Sequence, residues 1–568
     1  MDRRRFLIGS AGLAGAVVVG GCGSSSKGAG GSTGTTKAPA GSTAPVPRPS
    51  LKLAGGDQGF PSPFAYMRGG GLIQMSYIYD TLLWKDNSGQ LIPWLATGYK
   101  RSDDALSYTF QLRDGVTWHD GQPFTADDVA FTFMYFRSQT VSPQVISQPL
   151  PMISDVTATS PKTVEFRLTS PDSEFLGFGG VGSVPIVPKH IWSSIANASQ
   201  QSDPAVLIGT GPYRLESYSR GQGSYLYTAY DNYFLGKPFV QRLEYRPVGD
   251  PTTGPLNSLM TGEVDAASPV SGARPEVLAP FTNNPDFVVL KAPPGNSGTA
   301  LYWNLAKGGA LADVQFRQAC ARAIDRQDLV KRLFGGNGTP GNPGWIPAAN
   351  PYHAEVEQYS FDRNAAEGML DAAGYKRSTP QGVRQGPDGK PLSFALLVTS
   401  PVTPVVDLVV NALKAVGVEL TPEALDTPTF NQRVISGNSE MSLIASGGMN
   451  TDHGEGGYLR QVYSSKSKTT QHAQGYKNPT VDQLLDQQAA TVSDGERKKV
   501  VAQIQSMIAA DLPLLPLYYA DSFEIYRKAA FDQWYYTPGG VASTVPTVDN
   551  KQVFITGRKT GTTIRPTL

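Results

Sequence analysis

The chain has 568 residues and a formal net charge of +1 at pH 7, because its 49 Lys and Arg residues nearly balance its 48 Asp and Glu residues. This balance gives no support for a nucleic-acid partner or a strongly charged substrate. The length exceeds what one hydrophobic core covers, so we expect two or three lobes. Cys320 is the only cysteine besides Cys22, so the body that follows the N-terminal signal region has no internal disulfide available.

The first 22 residues have the pattern of an export signal. Arg3-Arg4-Arg5 precedes the apolar run Leu7–Val19, which is too short to span a bilayer as a mature helix. An arginine pair in this position fits twin-arginine export. Val19-Gly20-Gly21-Cys22 resembles a bacterial lipobox, in which Cys22 receives a diacylglycerol and anchors the protein in a membrane. We predict a signal peptide over 1–22 and a location at the outer face of the cytoplasmic membrane; an uncleaved N-terminal anchor is the alternative.

Residues 23–50 predict a flexible tether. They consist almost wholly of Gly, Ser, Thr, Ala, Pro and Lys and have no apolar periodicity. Such a composition cannot bury a core, so the segment stays extended and solvated. A tether between a lipid anchor and a folded body allows that body to reach a partner in the membrane.

The body that follows mixes strands and helices. Ser107–Arg113 and Thr163–Leu168 alternate apolar and polar residues, as half-buried strands do. Cys320 lies on the apolar stripe of a predicted helix, which indicates a buried side chain rather than a nucleophile. Four further helices are predicted from capping residues that precede apolar residues at helical spacing. They begin after Thr125, Asp325, Asp362 and Asn478.

The segment from Leu392 to Asp452 has a strand–helix–strand–helix–strand pattern. Its elements are an apolar strand over Leu392–Thr399, a helix that ends before Gly417, a strand at Val418–Leu420, a short helix after Pro428 and a strand at Met441–Ala445. This order predicts a parallel sheet with right-handed crossovers.

Ligands of parallel sheets bind outside the carboxyl ends of the strands, and a glycine-rich segment leaves the last predicted strand there. Its glycines allow a backbone to approach a ligand closely, and its Asn and Asp residues supply polar groups. We predict ligand contacts from Gly447, Gly448, Met449, Asn450 and Asp452. An ordinary glycine-rich turn is the alternative.

Several segments, in this order, resemble the family 5 extracellular solute-binding proteins, which include oligopeptide, dipeptide and nickel receptors. The resemblance extends from about residue 51 to the C-terminus, and an ordered set of motifs is far more specific than one short motif. The segments are Tyr79–Trp84, Pro93–Ala96, Tyr108–Gly121, Pro123–Thr132, Val187–Trp192, Gly209–Tyr213, Gly262–Asp265 and Phe316–Asp325.

The resemblance implies an α/β fold with two hinged lobes, the periplasmic-binding-protein fold, and an additional inserted domain. A ligand would bind between the lobes, and hinge closure would present one surface to an ABC permease. Carried onto this chain, lobe one comprises 51–85, 210–300 and 518–568, the inserted domain 86–209, and lobe two 301–517.

In peptide-binding relatives, a carboxylate after the last parallel strand pairs with the α-ammonium of the peptide, and Asp452 is the nearest carboxylate here. The facing loop of lobe one contains Arg68, Gly69 and Gly70, and Asn304 completes the predicted ligand contacts. Peptide receptors commonly carry Gly-Trp before the aspartate, whereas this chain has two glycines. An oligosaccharide is therefore the alternative ligand, and Trp345 is a candidate for stacking on a sugar or for simple packing in its loop.

The sequence predicts a binding protein without a cofactor rather than an enzyme. It has no nucleophile elbow, phosphate-binding loop, paired CxxC motif or zinc-protease motif. Asp452-His453-Gly454-Glu455 lacks the spacing of a metal site, and Asp114, His119 and Asp120 lie in a turn that favours a structural role. The expected partners are a small ligand, a permease and the membrane, with the protein acting as a monomer; an exported hydrolase is the alternative of another class.

Overall fold

The computed structural model describes eleven stretches of the chain. These are residues 48–66, 70–85, 91–139, 152–173, 175–177, 180–182, 184–249, 253–291, 297–400, 403–447 and 455–530. Among the described residues, no helix combines the length and the apolar character needed to cross a bilayer.

The N-terminal half of the described chain is rich in strands. Its elements are β1 (Leu51–Gly55), α1 (Gly70–Ser76), β2 (Leu83–Lys85), β3 (Leu91–Pro93), β4 (Ala96–Arg101), β5 (Ser107–Leu112), α2 (Ala126–Ser138), β6 (Ile153–Ser160), β7 (Thr163–Leu168), α3 (Lys189–Trp192), β8 (Tyr213–Ser219), β9 (Ser224–Ala229), β10 (Arg242–Pro247), α4 (Gly254–Thr261), β11 (Ala266–Ser271), α5 (Pro275–Thr282) and β12 (Phe287–Lys291).

The C-terminal half is richer in helices. Its elements are β13 (Ser297–Trp303), α6 (Gly309–Ala312), α7 (Val314–Ala323), α8 (Arg326–Phe334), β14 (Gly338–Pro340), α9 (Arg363–Ala372), β15 (Ser393–Thr399), α10 (Val405–Ala415), β16 (Glu419–Leu425), α11 (Thr427–Ile435), β17 (Met441–Gly447), α12 (Glu455–Tyr463), α13 (Pro479–Ala490), α14 (Asp494–Asp511), β18 (Leu514–Ala520) and β19 (Ser522–Arg527).

Three larger sheets organise these strands. The first sheet has the strand order β12-β19-β11-β1-β10-β9-β8, and the second has the order β14-β18-β13-β17-β15-β16. The third sheet, β4-β5-β7-β6, is antiparallel throughout, and β2 and β3 form a separate pair. The predicted α/β class is therefore confirmed, with mixed rather than purely parallel sheets.

The predicted parallel unit is confirmed in the second sheet. β15 pairs in parallel with β16 on one side and with β17 on the other. α10 joins the first two strands and buries Val405, Val406, Val409 and Leu413. β16 extends to Leu425, beyond its predicted end at Leu420, because it is an edge strand whose polar residues face solvent and leave no apolar signal.

The predicted helix starts are also confirmed. The side chains of Asp325, Asp362 and Asn478 each accept a hydrogen bond from a backbone N–H in the first turn of the following helix. At α2, the N–H of Thr125 donates to Asp128 Oδ2 over 2.9 Å, which is half of a capping box. These local contacts satisfy N–H groups that have no partner inside a helix.

The cores divide the described chain into two bodies. The first and third sheets share one core, which includes Leu51 of β1, Tyr213 of β8 and Phe110 of β5. The second sheet has a core on each face: Leu301 points into one, and its neighbour Tyr302 into the other. We call the first and third sheets with their helices body A, and the second sheet with its helices body B.

The described chain passes between the bodies twice. It leaves β12 at Lys291 and enters β13 at Ser297, and it returns from β18 to β19 through the single residue Asp521. The second sheet thus spans 297–520, slightly more than the 301–517 predicted for lobe two. The predicted domain boundaries themselves stay a prediction.

Candidate ligand-binding site

The candidate loop of body B leaves its sheet at the edge where the chain crosses to body A. Gly447, the last residue of β17, pairs with Ser297, the first residue of β13. Ser297 also pairs with Ala520, the last residue of β18 before the crossing. The carboxyl end of β17 and both crossings therefore share one edge of the second sheet.

The candidate loop of body A leaves the first sheet at the matching edge. β1 runs parallel to β11, with Leu53 opposite Ala266. The carboxyl end of β11 pairs with the start of β19, Ser271 with Ser522, next to the crossing at Asp521. Because β1 and β11 point the same way, the segment after Gly55 emerges on the side of this crossing. Carboxyl ends of strands are the usual position for ligands.

The predicted ligand residues of the two loops, and Asn304, are placed differently by the structure. Gly447 ends β17 and Gly70 begins α1, so both lie on the two segments that leave the sheets at the crossing edges. The structure does not bring Asn304 to this edge, since it follows the opposite end of β13. The remaining members of the two loops lie outside the described residues, as does the predicted lipid attachment site: Arg68, Gly69, Gly448, Met449, Asn450, Asp452 and Cys22.

Asn304 has a local role at that opposite edge. Its side chain is buried, and its amide donates to the carbonyls of Gly437 and Ser439 over 3.1 and 2.8 Å. Its Oδ1 accepts from the N–H of Ala306 over 3.2 Å. β13 has seven residues, which places Asn304 about 20 Å from the Gly447 edge. These contacts explain Asn304 as a residue that holds the loop before β17.

Trp345 lies inside a core of body B. Only 1% of its surface is exposed, and its ring packs edge-on against Tyr463 with 6.0 Å between the centroids. Its backbone carbonyl accepts from Tyr519 Oη over 2.6 Å, and its backbone φ is +73°. This packing supports the simple-packing alternative for Trp345 and not a face open to a sugar.

The segment after β1 is held by tyrosines that the sequence analysis did not identify. Tyr218 Oη donates to Asp57 Oδ1 over 2.6 Å, and burial, with this hydrogen bond, raises the pKa of Tyr218 to about 12. Tyr225 Oη accepts from the N–H of Gln58 over 2.8 Å and donates to the carbonyl of Gly59 over 2.7 Å. The alternating tyrosines of β9 are visible in the sequence, but this pattern predicts only that their rings are buried. It does not predict which backbone groups their hydroxyls bind.

Asp80 connects three of the family-like motifs. It is fully buried, and its carboxylate accepts from Trp94 Nε1 over 2.9 Å and from Thr210 Oγ1 over 3.0 Å. The Asp80 carbonyl also accepts from the N–H of Ile186 over 2.9 Å. These hydrogen bonds thus hold the segments next to the third sheet and the first sheet together within body A.

His119 belongs to the same network. Its Nδ1 accepts from the N–H of Gly209 over 3.3 Å, so we assign the proton to Nε2, which donates to the carbonyl of Gly211 over 2.9 Å. Burial lowers the pKa of His119 to about 4, which leaves the ring neutral at pH 7. The neighbouring Asp120 accepts from His190 over 2.8 Å. These contacts explain His119 and Asp120 as structural residues.

Cys320 is buried on α7, as predicted. Burial raises the pKa of its thiol, which keeps it protonated and unreactive at neutral pH. Within the described stretches, no group of three or more His, Cys, Asp or Glu residues is arranged to hold a metal ion. The segment from Asp452 to Glu455, which the sequence does not favour as a metal site, lies mostly outside them.

The chain is similar in sequence to a known protein family and to proteins of known function. Residues 90–469 match the model of bacterial extracellular solute-binding proteins, family 5. The chain belongs to this family. The oligopeptide-binding protein AppA of Bacillus subtilis is 26% identical over 457 residues, which cover 78% of this chain and 81% of the relative. Heme-binding protein A of Haemophilus influenzae is 25% identical over 480 residues, which cover 78% and 82%.

A solved structure supports the two-lobed fold. NikA from Brucella suis, in complex with Fe(III)-EDTA, superposes with a TM-score of 0.76 at 19% identity, covering 89% of this chain and 99% of that chain. The family 5 assignment makes the protein a substrate-binding protein of an ABC transporter, extracellular or periplasmic, and not an enzyme. The hydrolase alternative is therefore wrong.

Proposed function

We propose that the protein captures a peptide between bodies A and B and delivers it to an ABC permease. The observation that carries the proposal is the emergence of the segments after Gly55 and Gly447 at the two sheet edges joined by the crossings. A ligand between these edges contacts both bodies and stabilises their closed arrangement. The peptide is favoured over other ligands because the relative AppA is named as an oligopeptide-binding protein.

Asp452 is the residue proposed to recognise the peptide. A carboxylate in the loop after β17 pairs with an α-ammonium through charge-assisted hydrogen bonds, which are roughly twice as strong as neutral ones. The backbone of an extended peptide binds through main-chain hydrogen bonds, and Arg68–Gly70 supply such groups from body A.

The proposal is tested by thermal-shift assays of the protein with short peptides, cello- and xylo-oligosaccharides, and nickel. A ligand at 100 times its dissociation constant stabilises the bound form by about 2.7 kcal/mol. We expect peptides to raise the melting temperature and Asp452→Ala to abolish that rise. Asp231→Ala is the matched control, since this carboxylate is on the surface and pairs only with Lys237 among the described ion pairs. A rise with sugars or nickel alone overturns the peptide assignment and leaves the transport role.

The proposed location is the outer face of the cytoplasmic membrane, reached by twin-arginine export and held by a lipid on Cys22. Several acyl chains bind a membrane firmly because each buried methylene contributes roughly 0.8 kcal/mol. The tether over 23–50 gives the body its reach toward the permease. Cys22→Ser should move the protein from the membrane fraction to the soluble fraction; retention of the variant in the membrane fraction contradicts the lipid anchor.

A further inference from the structure

Hydrogen bonds between the described residues of bodies A and B occur in two places. One of them surrounds the two crossings, and we call it the hinge. There, the N–H of Gly272 donates to the carbonyl of Asp521 over 2.8 Å, and Asn337 Nδ2 donates to the carbonyl of Ala273 over 2.7 Å. Lys291 Nζ lies 2.6 Å from Asp521 Oδ2, which ties the two crossings together. Such contacts can persist during hinge motion because they surround the crossings themselves.

The second place involves no residue of either crossing. The N–H of Ser173, in body A, donates to the carbonyl of Ala489 over 2.7 Å, and Ser173 Oγ donates to the carbonyl of Gln488 over 3.3 Å. Both carbonyls belong to the last turn of α13, in body B. The last four carbonyls of a helix have no N–H partner four residues later inside it, so they accept hydrogen bonds from elsewhere. The carbonyl of Gln488 also accepts from the N–H of Thr491, just after α13, over 3.2 Å. Ser173 therefore caps a helix of the opposite body.

Ser173 is fixed to body A by its neighbours. Phe175, two residues later, is fully buried in the core that the first and third sheets share. Its ring lies 4.5 Å from the ring of Tyr108 and 5.5 Å from that of Phe166, measured between centroids. Because Phe175 packs into this core only two residues later, we expect Ser173 to move with body A.

The end of α13 lies beside the start of α12. Ser464 Oγ donates to Asp482, and Arg460 Nη2 donates to the carbonyl of Leu485, each over 3.2 Å. These contacts define two antiparallel helices, so the first turn of α12 is level with Gln488 and Ala489. α12 is the first helix after Gly447, the residue at which the candidate loop leaves the second sheet. Ser173 thus meets body B beside the first turn of the helix that follows the candidate loop in the chain.

We propose that Ser173 is a positioning residue for ligand capture, whose N–H and hydroxyl bind the last turn of α13 only when the two bodies are closed. Two neutral hydrogen bonds shift an equilibrium constant by roughly tenfold to hundredfold, which suits a reversible contact. The closed arrangement is then stabilised by a contact between the two bodies that does not depend on the chemistry of the ligand. The inference rests on the proposed function only in assigning closure to ligand capture.

The test is a cross-link between the two bodies. In Ser173→Cys/Ala489→Cys, the 2.7 Å hydrogen bond from the N–H of Ser173 to the carbonyl of Ala489 limits the separation of the two α-carbons to about 6.5 Å, within the range of a disulfide. The purified full chain is compared in oxidised and reduced forms by small-angle X-ray scattering, without ligand. We expect oxidation to lower the radius of gyration by about 1 Å from a compact-chain value of roughly 24 Å, and dithiothreitol to restore it. Equal radii in both forms overturn the proposal, as does failure of the disulfide to form.

Ser271→Cys/Ser522→Cys is the matched control. These hydroxyls lie 2.9 Å apart on paired strands of the first sheet, so their disulfide forms within body A and should leave the radius of gyration unchanged. Ser173→Pro removes both donors and should leave the radius of gyration of the ligand-free chain equal to that of the wild type, because the contact does not form in the open arrangement. A larger radius for Ser173→Pro would show that the contact already exists in the open chain and would contradict the proposal. No ligand enters either measurement, so failure of the peptide assignment leaves both outcomes interpretable.

Discussion

At the scale of single residues, the family-like motifs of the N-terminal half are explained by buried polar contacts. Asp80 accepts from Trp94 and Thr210, and the His119 ring bridges the backbones of Gly209 and Gly211. Each polar atom loses water on folding and regains a partner in the network, which makes the pairing specific. A charge on the His119 ring breaks this pairing, because protonated Nδ1 cannot accept from a backbone N–H.

The network should therefore make stability depend on pH through His119. Its folded pKa of about 4 lies below the ordinary 6.5, so the unfolded chain binds a proton first as pH falls. The stabilisation that the neutral His119 ring contributes is fully present above pH 6.5 and is lost as the pH falls from about 6.5 to 4. This loss amounts to about 3 kcal/mol of unfolding free energy. Urea unfolding of the wild type and of His119→Gln measures this at about pH 7 and about pH 4.5.

The variant serves as its own control for the other titrating groups. His119→Gln should be less stable at pH 7, because an amide replaces the ring hydrogen bonds poorly. Its loss of stability between the two pH values should be smaller than that of the wild type by most of the about 3 kcal/mol. Equal losses in both proteins would show that the folded protein protonates His119 as readily as the unfolded chain does and would contradict the lowered pKa.

At the scale of elements, the segment 209–211 packs directly on the backbone that follows α1. A Cβ added to Gly209 would lie 1.8 Å from the carbonyl oxygen of Ile78, and one added to Gly211 would lie 2.3 Å from that of Tyr77. The N–H of Gly211 also donates to the carbonyl of Ile78 over 2.8 Å. Glycine is required here by close approach of two backbones rather than by an unusual φ.

Gly209→Ala should destabilise the protein by at least about 2 kcal/mol, because the clash is with backbone atoms that cannot move aside. The matched control is Gly98→Ala in β4, where an added Cβ meets no atom within 4 Å. The control should stay within about 0.5 kcal/mol of the wild type. The urea concentration at the midpoint of unfolding, measured for both variants, tests this prediction. Equal midpoints would contradict the close approach of the two backbones.

The sequence predicts elements whose signals are local. The β15–α10–β16–α11–β17 unit and the cap of α8 by Asp325 follow from periodicity and capping within short windows. The pairing of β13 with β18 joins Ser297 to Ala520, and nothing in either strand specifies so distant a partner. The edge of the sheet at which Asn304 lies depends on that pairing, so the sequence alone does not place this residue away from the Gly447 edge.

The candidate site, too, could be predicted from the sequence only where its signals are local. A glycine-rich loop after a parallel strand predicts the segment that starts at Gly447, and the family resemblance predicts the facing loop with Gly70. Tyr218 and Tyr225 hold the first segment of body A, yet their hydroxyls meet Asp57 and Gly59 only through contacts distant in sequence. Such contacts require the assembled sheet.

At the scale of the whole molecule, the arrangement of cores determines which parts unfold together. Body A has a core that spans the first and third sheets and a smaller one between the first sheet and α4 and α5, and body B has its own cores on the two faces of the second sheet. The bodies are joined by two crossings and by few hydrogen bonds between described residues. Regions that share a core unfold cooperatively, and regions joined by few contacts unfold separately.

We therefore expect calorimetry of the ligand-free protein to resolve two unfolding transitions. Val164 in β7 and Val409 in α10 are both fully buried, one in each body, and Val→Ala removes the same two methyl groups from each. Each substitution should cost about 1–3 kcal/mol and lower the melting temperature of its own transition by a few degrees, leaving the other in place. If one transition shifted equally in both variants, the bodies would form a single cooperative unit, and hinge motion would have to disturb a shared core. A ligand held between the bodies should bring the two transitions together, because neither body can then unfold without releasing it.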